Sequence, residues 1–159
     1  MKEESRLYLQ RAENELVIAR ILYQLSEKID LQKEEFHLEK IFTFFNGVIT
    51  HSYYCIFYSA KAILIESDIK TTAPEVHKKT IDAFERYLVK TGKLDLELLK
   101  IYRNMIVKAD ELLGIFSSEK RKRGTFTYHI LPRANKDPAK ESNENALFFF
   151  RNISKILDF

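Results

Sequence analysis

The stretch from residue 42 to residue 64, FTFFNGVITHSYYCIFYSAKAIL, is apolar on almost every side when it is drawn as a helix. A helix of this kind has no polar face for water, so it belongs in the middle of a bundle. Asn46, His51 and Lys61 interrupt the apolar residues, and no second stretch of this length follows. Because polar side chains are costly inside a bilayer, we expect a buried core helix and no membrane association.

Composition favours one helical domain covering residues 1–159. A chain of 159 residues can bury roughly two thirds of the surface that its unfolded form exposes. Four Gly and three Pro are too few for a loop-rich β fold. The single cysteine, Cys55, excludes a disulfide framework. The first ten residues contain acids and no apolar run, so we expect no signal peptide and a cytoplasmic protein.

Apolar residues at three- and four-residue steps predict five helices. The first runs from about residue 4 to residue 29, and the second from about residue 41 to residue 67. The segment LQKEEFHLEK between them is either a connection or the solvated start of the second helix. The predicted inward-facing residues of the five helices are Leu9, Ala12, Leu16, Ala19 and Tyr23; Phe45, Val48, Ser52, Cys55 or Ile56, Ser59 and Ile63; His77, Ile81, Phe84 and Leu88; Leu98, Tyr102, Met105, Ala109, Leu112 and Phe116; and Ala146, Phe149 or Phe150, Ile153 and Leu157.

Local signals mark the ends of the last three helices. Pro74 suits the first turn of the third helix, and Gly92 ends that helix as a C-cap glycine does. Asp95 is the expected N-cap of the fourth helix, and Asp137 followed by Pro138 begins the fifth. Five helices with mostly short links predict an all-α, up-and-down bundle.

The connection before the last helix, residues 117–136, is much longer than the links usual in bundles. Its six basic residues and one acid give a local charge of +5 in a chain whose formal total is +3, so the remainder sums to −2. Within this basic arm TFTYHIL alternates polar and apolar residues, which favours a short strand or hairpin. Basic residues beside aromatic rings suit single-stranded nucleic acid. The predicted nucleic-acid-binding residues are Lys120, Arg121, Lys122, Arg123, Phe126, Tyr128 and Arg133.

Four pieces of the sequence, in this order, resemble the HEPN domains (higher eukaryotes and prokaryotes nucleotide-binding). A helix of the RAENELVIAR type precedes SYYCIFYSAKAIL, which is similar to the family's paired tyrosines. VHKKTIDAF is similar to its His-Lys element, and YRNMIVKADEL to its Arg-Asn or Arg-Ala-Asp helix. The resemblance implies a small helical domain that is usually a symmetric dimer. Many members are metal-independent endoribonucleases, some of them toxins neutralised by a nucleotidyltransferase, and others are binding modules.

The family's ribonuclease motif is Arg, four to six residues, then His, with two copies meeting across the dimer interface. His can take a proton from a ribose 2′-hydroxyl, and Arg can hold the scissile phosphate. At the matching place this chain has Arg103 and Asn104, but Lys108 stands where the His is expected. A lysine ammonium binds phosphate but is a poor general base. Arg103 and Asn104 therefore either line a functional groove or make structural contacts.

The remaining histidines give weaker signals. In the basic arm, Arg123 is followed after five residues by His129, so His129 is either a catalytic base or part of an arm that binds, packs or is solvated. His51 fits a core or interface histidine, and His77 fits capping or packing. No His, Cys, Asp or Glu set has metal-ligand spacing and no phosphate-binding glycine loop is present, so we predict no metal and no cofactor.

Two functions of different class follow from these residues. The first is a non-catalytic, homodimeric HEPN-like module that binds RNA, a nucleotide or a partner protein through Arg103, Asn104, Lys108 and the basic arm. The second is a toxin-type endoribonuclease paired with a nucleotidyltransferase antitoxin, with Arg103 or Arg123 holding phosphate and His129 as the base. The twelve Phe and eight Tyr also favour a homodimer, because five helices leave some of these rings on the surface.

Overall fold

The computed structural model describes residues 1–113 and 136–159. All regular structure in these two ranges is helical, so the predicted all-α bundle is confirmed for them. The basic arm lies outside the described residues except for Lys136, which is the first residue of the last helix. The elements are α1 (Glu3–Glu27), α2 (Ile29–Glu34), α3 (Phe45–Glu66), α4 (Val76–Phe84) with a π-helical turn (Glu85–Val89), α5 (Leu96–Leu113) and α6 (Lys136–Leu157).

Helix α3, which contains most of the apolar stretch, is the centre of the bundle. It packs against α1, α4, α5 and α6, and fifteen of its 22 residues are buried. Ala60 and Ala62 have no exposed surface, so neighbouring helices approach α3 closely there. Among the described helices α3 alone has the length and hydropathy of a membrane span, and 78% of its most apolar window is buried inside the bundle. Burial of this kind is typical of a central bundle helix.

Most of the predicted inward-facing residues are buried. The exceptions are Tyr23, His77 and Ile81, whose side chains are half-buried. Leu112 and Phe116 lie outside the residues whose side chains are described.

The predicted start of the second long helix was four residues too early, and Gln32 explains why. The segment before α3 divides into α2 and a connection, and the fully buried Gln32 side chain fastens the two. Its Nε2 donates to the carbonyls of Leu25 (2.7 Å) and Phe42 (2.9 Å), and its Oε1 accepts the N–H of Phe42 at 2.8 Å. Because Gln32 occupies both backbone groups of Phe42, helical hydrogen bonding begins only after that residue.

Two other helix ends are determined by residues that lie beside them in the sequence. The Asp95 carboxylate accepts the N–H of Glu97 at 2.8 Å, and Gly92 has φ +73° after the π-helical turn, so both predicted caps are confirmed. The prediction for Pro74 was wrong. Helix α4 begins at Val76, because Glu75 has a left-handed φ of +58° and interrupts the helical backbone between the two.

Lys61 fastens the connection between α3 and α4 from inside the bundle. Its Nζ donates to the Thr71 carbonyl (2.5 Å) and the Thr71 hydroxyl (3.1 Å), and it lies 5.3 Å from the centre of the Tyr8 ring. The Thr71 and Thr80 hydroxyls are 2.8 Å apart, which extends the network to α4. Burial lowers the pKa of Lys61. These contacts position α4 against α3.

Replacing Gln32 with Leu should destabilise the fold by about 1–3 kcal/mol, because it leaves part-buried backbone groups of Leu25 and Phe42 without their partner. The free energy of unfolding in urea measures this. The matched control is Lys33→Ala, at an exposed neighbour in α2, which should change stability by at most about 0.5 kcal/mol. A loss below about 1 kcal/mol for Gln32→Leu would contradict the role given to this side chain.

Candidate functional site

Helix α5 carries the residues at the motif positions and places them beside two different neighbours. The exposed Arg103 Nη2 donates to Glu85 Oε2 on the π-helical turn, at 2.5 Å. The partly exposed Lys108 Nζ donates to Glu141 Oε2 on α6, at 2.8 Å. Five residues correspond to about 140° around a helix, so the two side chains lie on opposite flanks of α5. Asn104 is also exposed. Within one chain, Arg103 and Lys108 are not brought together.

The Arg103 contact also sets the charge of this surface. Desolvation raises the pKa of the Glu85 carboxyl, but hydrogen bonds from Arg103 and Lys90 lower it overall. Lys90 Nζ lies 3.4 Å from Glu85 Oε1. Glu85 is therefore ionised at neutral pH, and a phosphate group that binds Arg103 has to compete with it. Of the two sequence-based alternatives for Arg103, the structural contact is present, and Glu85 is the partner.

A second polar cluster lies between α3 and α4, and the sequence analysis did not find it. The Tyr53 hydroxyl is 2.7 Å from His77 Nδ1, and the Phe57 ring centre is 4.3 Å from the centre of the His77 ring. The packing role predicted for His77 agrees with this geometry. A buried tyrosine hydroxyl requires a hydrogen-bond partner. The paired tyrosines in the apolar stretch therefore indicated that a polar partner lies inside the bundle.

Electrostatics determine what this cluster can do. Burial raises the pKa of Tyr53, with further contributions from Tyr54 and from Asp110 on α5, and burial lowers the pKa of His77. Both groups are therefore neutral at neutral pH, and either of them can be the donor in this hydrogen bond. A neutral imidazole carries one ring proton, and the tautomer decides whether Nδ1 or Nε2 holds it.

Glu85 and His77 mark the two ends of the surface between α4 and α5. Glu85 contacts Arg103 at one end, and His77 lies eight residues earlier, about 12 Å along the helix. Asp110, two turns beyond Arg103 on α5, acts electrostatically on Tyr53 at the His77 end. We call this surface, from the Glu85 and Arg103 pair to His77 and Asp110, the α4–α5 surface.

His51 joins the central helix to α1. Its Nδ1 lies 2.6 Å from Glu15 Oε2, and both side chains are half-buried. Tyr54 and Tyr58 stack one turn further along α3, with ring centres 5.9 Å apart. His51 thus has a partner between two packed helices, which agrees with the core or interface histidine predicted here.

The remaining candidate residues belong to the basic arm. His129, the second catalytic candidate, lies outside the described residues. Lys136, at the end of the arm, binds Glu27 of α1 at 2.6 Å. Within residues 1–113 and 136–159, no three His, Cys, Asp or Glu side chains are grouped as a metal site requires. The other arm residues outside the described ranges are Lys120, Arg121, Lys122, Arg123, Phe126, Tyr128 and Arg133.

Comparisons with known proteins give no match: no family model, no curated protein and no solved structure is significantly similar to this chain. The resemblance to HEPN domains therefore depends on the residue patterns alone.

The lowered pKa of His77 predicts an acid-sensitive contact between α3 and α4. The unfolded chain binds a proton near the usual pKa of 6.5, and the folded chain only at lower pH, so this contribution to stability is complete above pH 6.5 and is lost as the pH falls through the folded value. His77→Phe should lose about 1 kcal/mol at pH 7 and should be less sensitive to acid than the wild type. Urea midpoints measured from pH 7.5 to pH 5 test this.

The matched control for that experiment is His37→Asn. His37 is exposed and has φ +53°, a backbone conformation that asparagine tolerates. This variant should keep the wild-type pH dependence. An identical pH dependence in His77→Phe and the wild type would exclude His77 as the titrating group.

Proposed function

We propose that this chain is a homodimeric HEPN-like module that binds RNA or a nucleotide without cleaving it. The observation that carries the proposal is the state of the motif on α5. Lys108 stands at the position of the family's histidine and donates to Glu141, while Arg103 is bound by Glu85. Neither contact supplies a proton acceptor for a ribose hydroxyl. His77, on the α4–α5 surface, has its Nδ1 hydrogen-bonded to the Tyr53 hydroxyl.

The charge distribution supports an anionic ligand. Residues 117–136 have a formal charge of +5 and the rest of the chain sums to −2, so the net positive charge of the protein comes from this one segment. Lysine and arginine neutralise phosphates, and the interleaved Phe126 and Tyr128 suit stacking on unpaired bases. The segment begins after α5 and ends at α6, the two helices that carry Arg103, Lys108 and Glu141.

A second candidate function is an endoribonuclease of the toxin type, neutralised by a nucleotidyltransferase partner. One observation favours it: Arg123 and His129 have the family's spacing within the basic arm. In this mechanism Arg123 or Arg103 holds the phosphate and His129 takes the proton from the 2′-hydroxyl.

Cleavage of a labelled structured RNA in the presence of EDTA separates the two functions. Under the proposal, wild type, Arg103→Ala and His129→Ala all leave the RNA intact, while the wild type shifts it in a native gel. Products with 2′,3′-cyclic phosphate ends from the wild type, lost in His129→Ala, would establish the ribonuclease instead.

Neutralising the arm should weaken RNA binding. Replacing residues 120–123 with glutamine removes four positive charges, which should reduce the slope of log affinity against log salt by up to about 2.8, at about 0.7 per contact with single-stranded RNA. Titrations at several salt concentrations measure the slope. The matched control removes the same charge from exposed lysines elsewhere, by substituting Gln for Lys33, Lys40, Lys93 and Lys100.

The control should keep most of the wild-type salt dependence, because those lysines lie outside the segment. Equal loss of slope in both proteins would show that binding depends only on net charge, and the arm would lose its assigned role.

A further inference from the structure

The π-helical turn after α4 pairs two side chains that a regular α-helix would keep apart. Glu85 and Lys90 are five residues apart in the sequence, a spacing that corresponds to about 140° around an α-helix. In the π-turn the Lys90 N–H donates to the Glu85 carbonyl at 2.9 Å, so residue 90 lies one turn above residue 85. Lys90 Nζ is then 3.4 Å from Glu85 Oε1. Single π-turns of this kind are frequent at functional sites.

Arg103 completes the cluster from α5. Its Nη2 donates to Glu85 Oε2 at 2.5 Å, so each oxygen of the carboxylate has a cation beside it. The Arg103 and Lys90 side chains are 57% and 68% exposed, whereas the Glu85 side chain between them is 24% exposed. Two cations around one anion leave a formal excess of one positive charge. We call Glu85, Lys90 and Arg103 the π-turn cluster.

A carboxylate held between two cations shows where an anion fits on this surface. Guanidinium and ammonium groups bind carboxylate and phosphate oxygens alike. Ion pairs with largely exposed partners contribute little to stability, so a phosphate can replace the carboxylate at small cost. We propose that Arg103 and Lys90 form a subsite for a phosphate group of RNA or a nucleotide, and that Glu85 is a built-in competitor for that subsite. This inference rests on the proposed function for the identity of the ligand.

Glu85→Gln tests the subsite, because glutamine keeps the shape of the side chain and removes its negative charge. The variant should bind a single-stranded RNA about two- to fivefold more tightly than the wild type, since the phosphate no longer competes with a carboxylate. The slope of log affinity against log salt should become steeper by up to about 1.4, at about 0.7 for each of the two freed cations. Fluorescence anisotropy titrations at several salt concentrations measure both quantities.

The matched control is Glu13→Gln, which changes the net charge by the same amount at an exposed residue of α1. Among the described elements α1 packs against α2, α3 and α6, so this variant should keep the wild-type affinity and slope. In the double variants, the gain from Glu85→Gln should vanish with Arg103→Ala and shrink with Lys90→Ala. Circular dichroism checks that each variant is folded. An equal gain in the control, or a gain that persists without Arg103, overturns the subsite.

Inorganic pyrophosphate is a second probe that separates this inference from the proposed function. In calorimetric titrations Glu85→Gln should bind pyrophosphate more tightly than either the wild type or Glu13→Gln. Tighter pyrophosphate binding by a chain that binds no RNA contradicts only the proposed ligand. RNA binding that is unchanged by Glu85→Gln contradicts only the subsite, and binding of neither probe by any variant contradicts both.

Discussion

Burial of α3 is the constraint on which the rest of this structure depends. A helix that is apolar on nearly all sides must be covered by several neighbours, and its polar side chains must find partners inside that cover. Each of these polar contacts holds one neighbouring element against α3. Lys61 holds the Thr71 connection, Tyr53 holds His77 at the start of α4, and His51 holds Glu15 of α1. The polar residues that interrupt the apolar stretch therefore determine where the other helices lie.

These contacts also determine the geometry of the candidate site. Because His77 and Lys61 position α4, the π-helical turn that follows brings Glu85 beside Arg103. Arg103 is thus held in place and partly neutralised by the same contact. At the Glu85 end of the α4–α5 surface one carboxylate is paired with two cations, Arg103 and Lys90, so little excess positive charge is left there. Attraction of a nucleic acid would come from the basic arm, with the α4–α5 surface adding selective contacts after the ligand is close.

Sequence patterns predicted the features that depend on residue spacing along one helix. They missed the features that depend on contacts between residues far apart in the chain. The buried stripes of α3, α5 and α6 were readable because burial on a helix recurs every three or four residues. The Asp95 cap is local in the same way. The start of α3 was not readable because Gln32 binds Phe42 ten residues away. The contact between Tyr53 and His77 joins residues 24 positions apart, and only the packing of two helices brings them together.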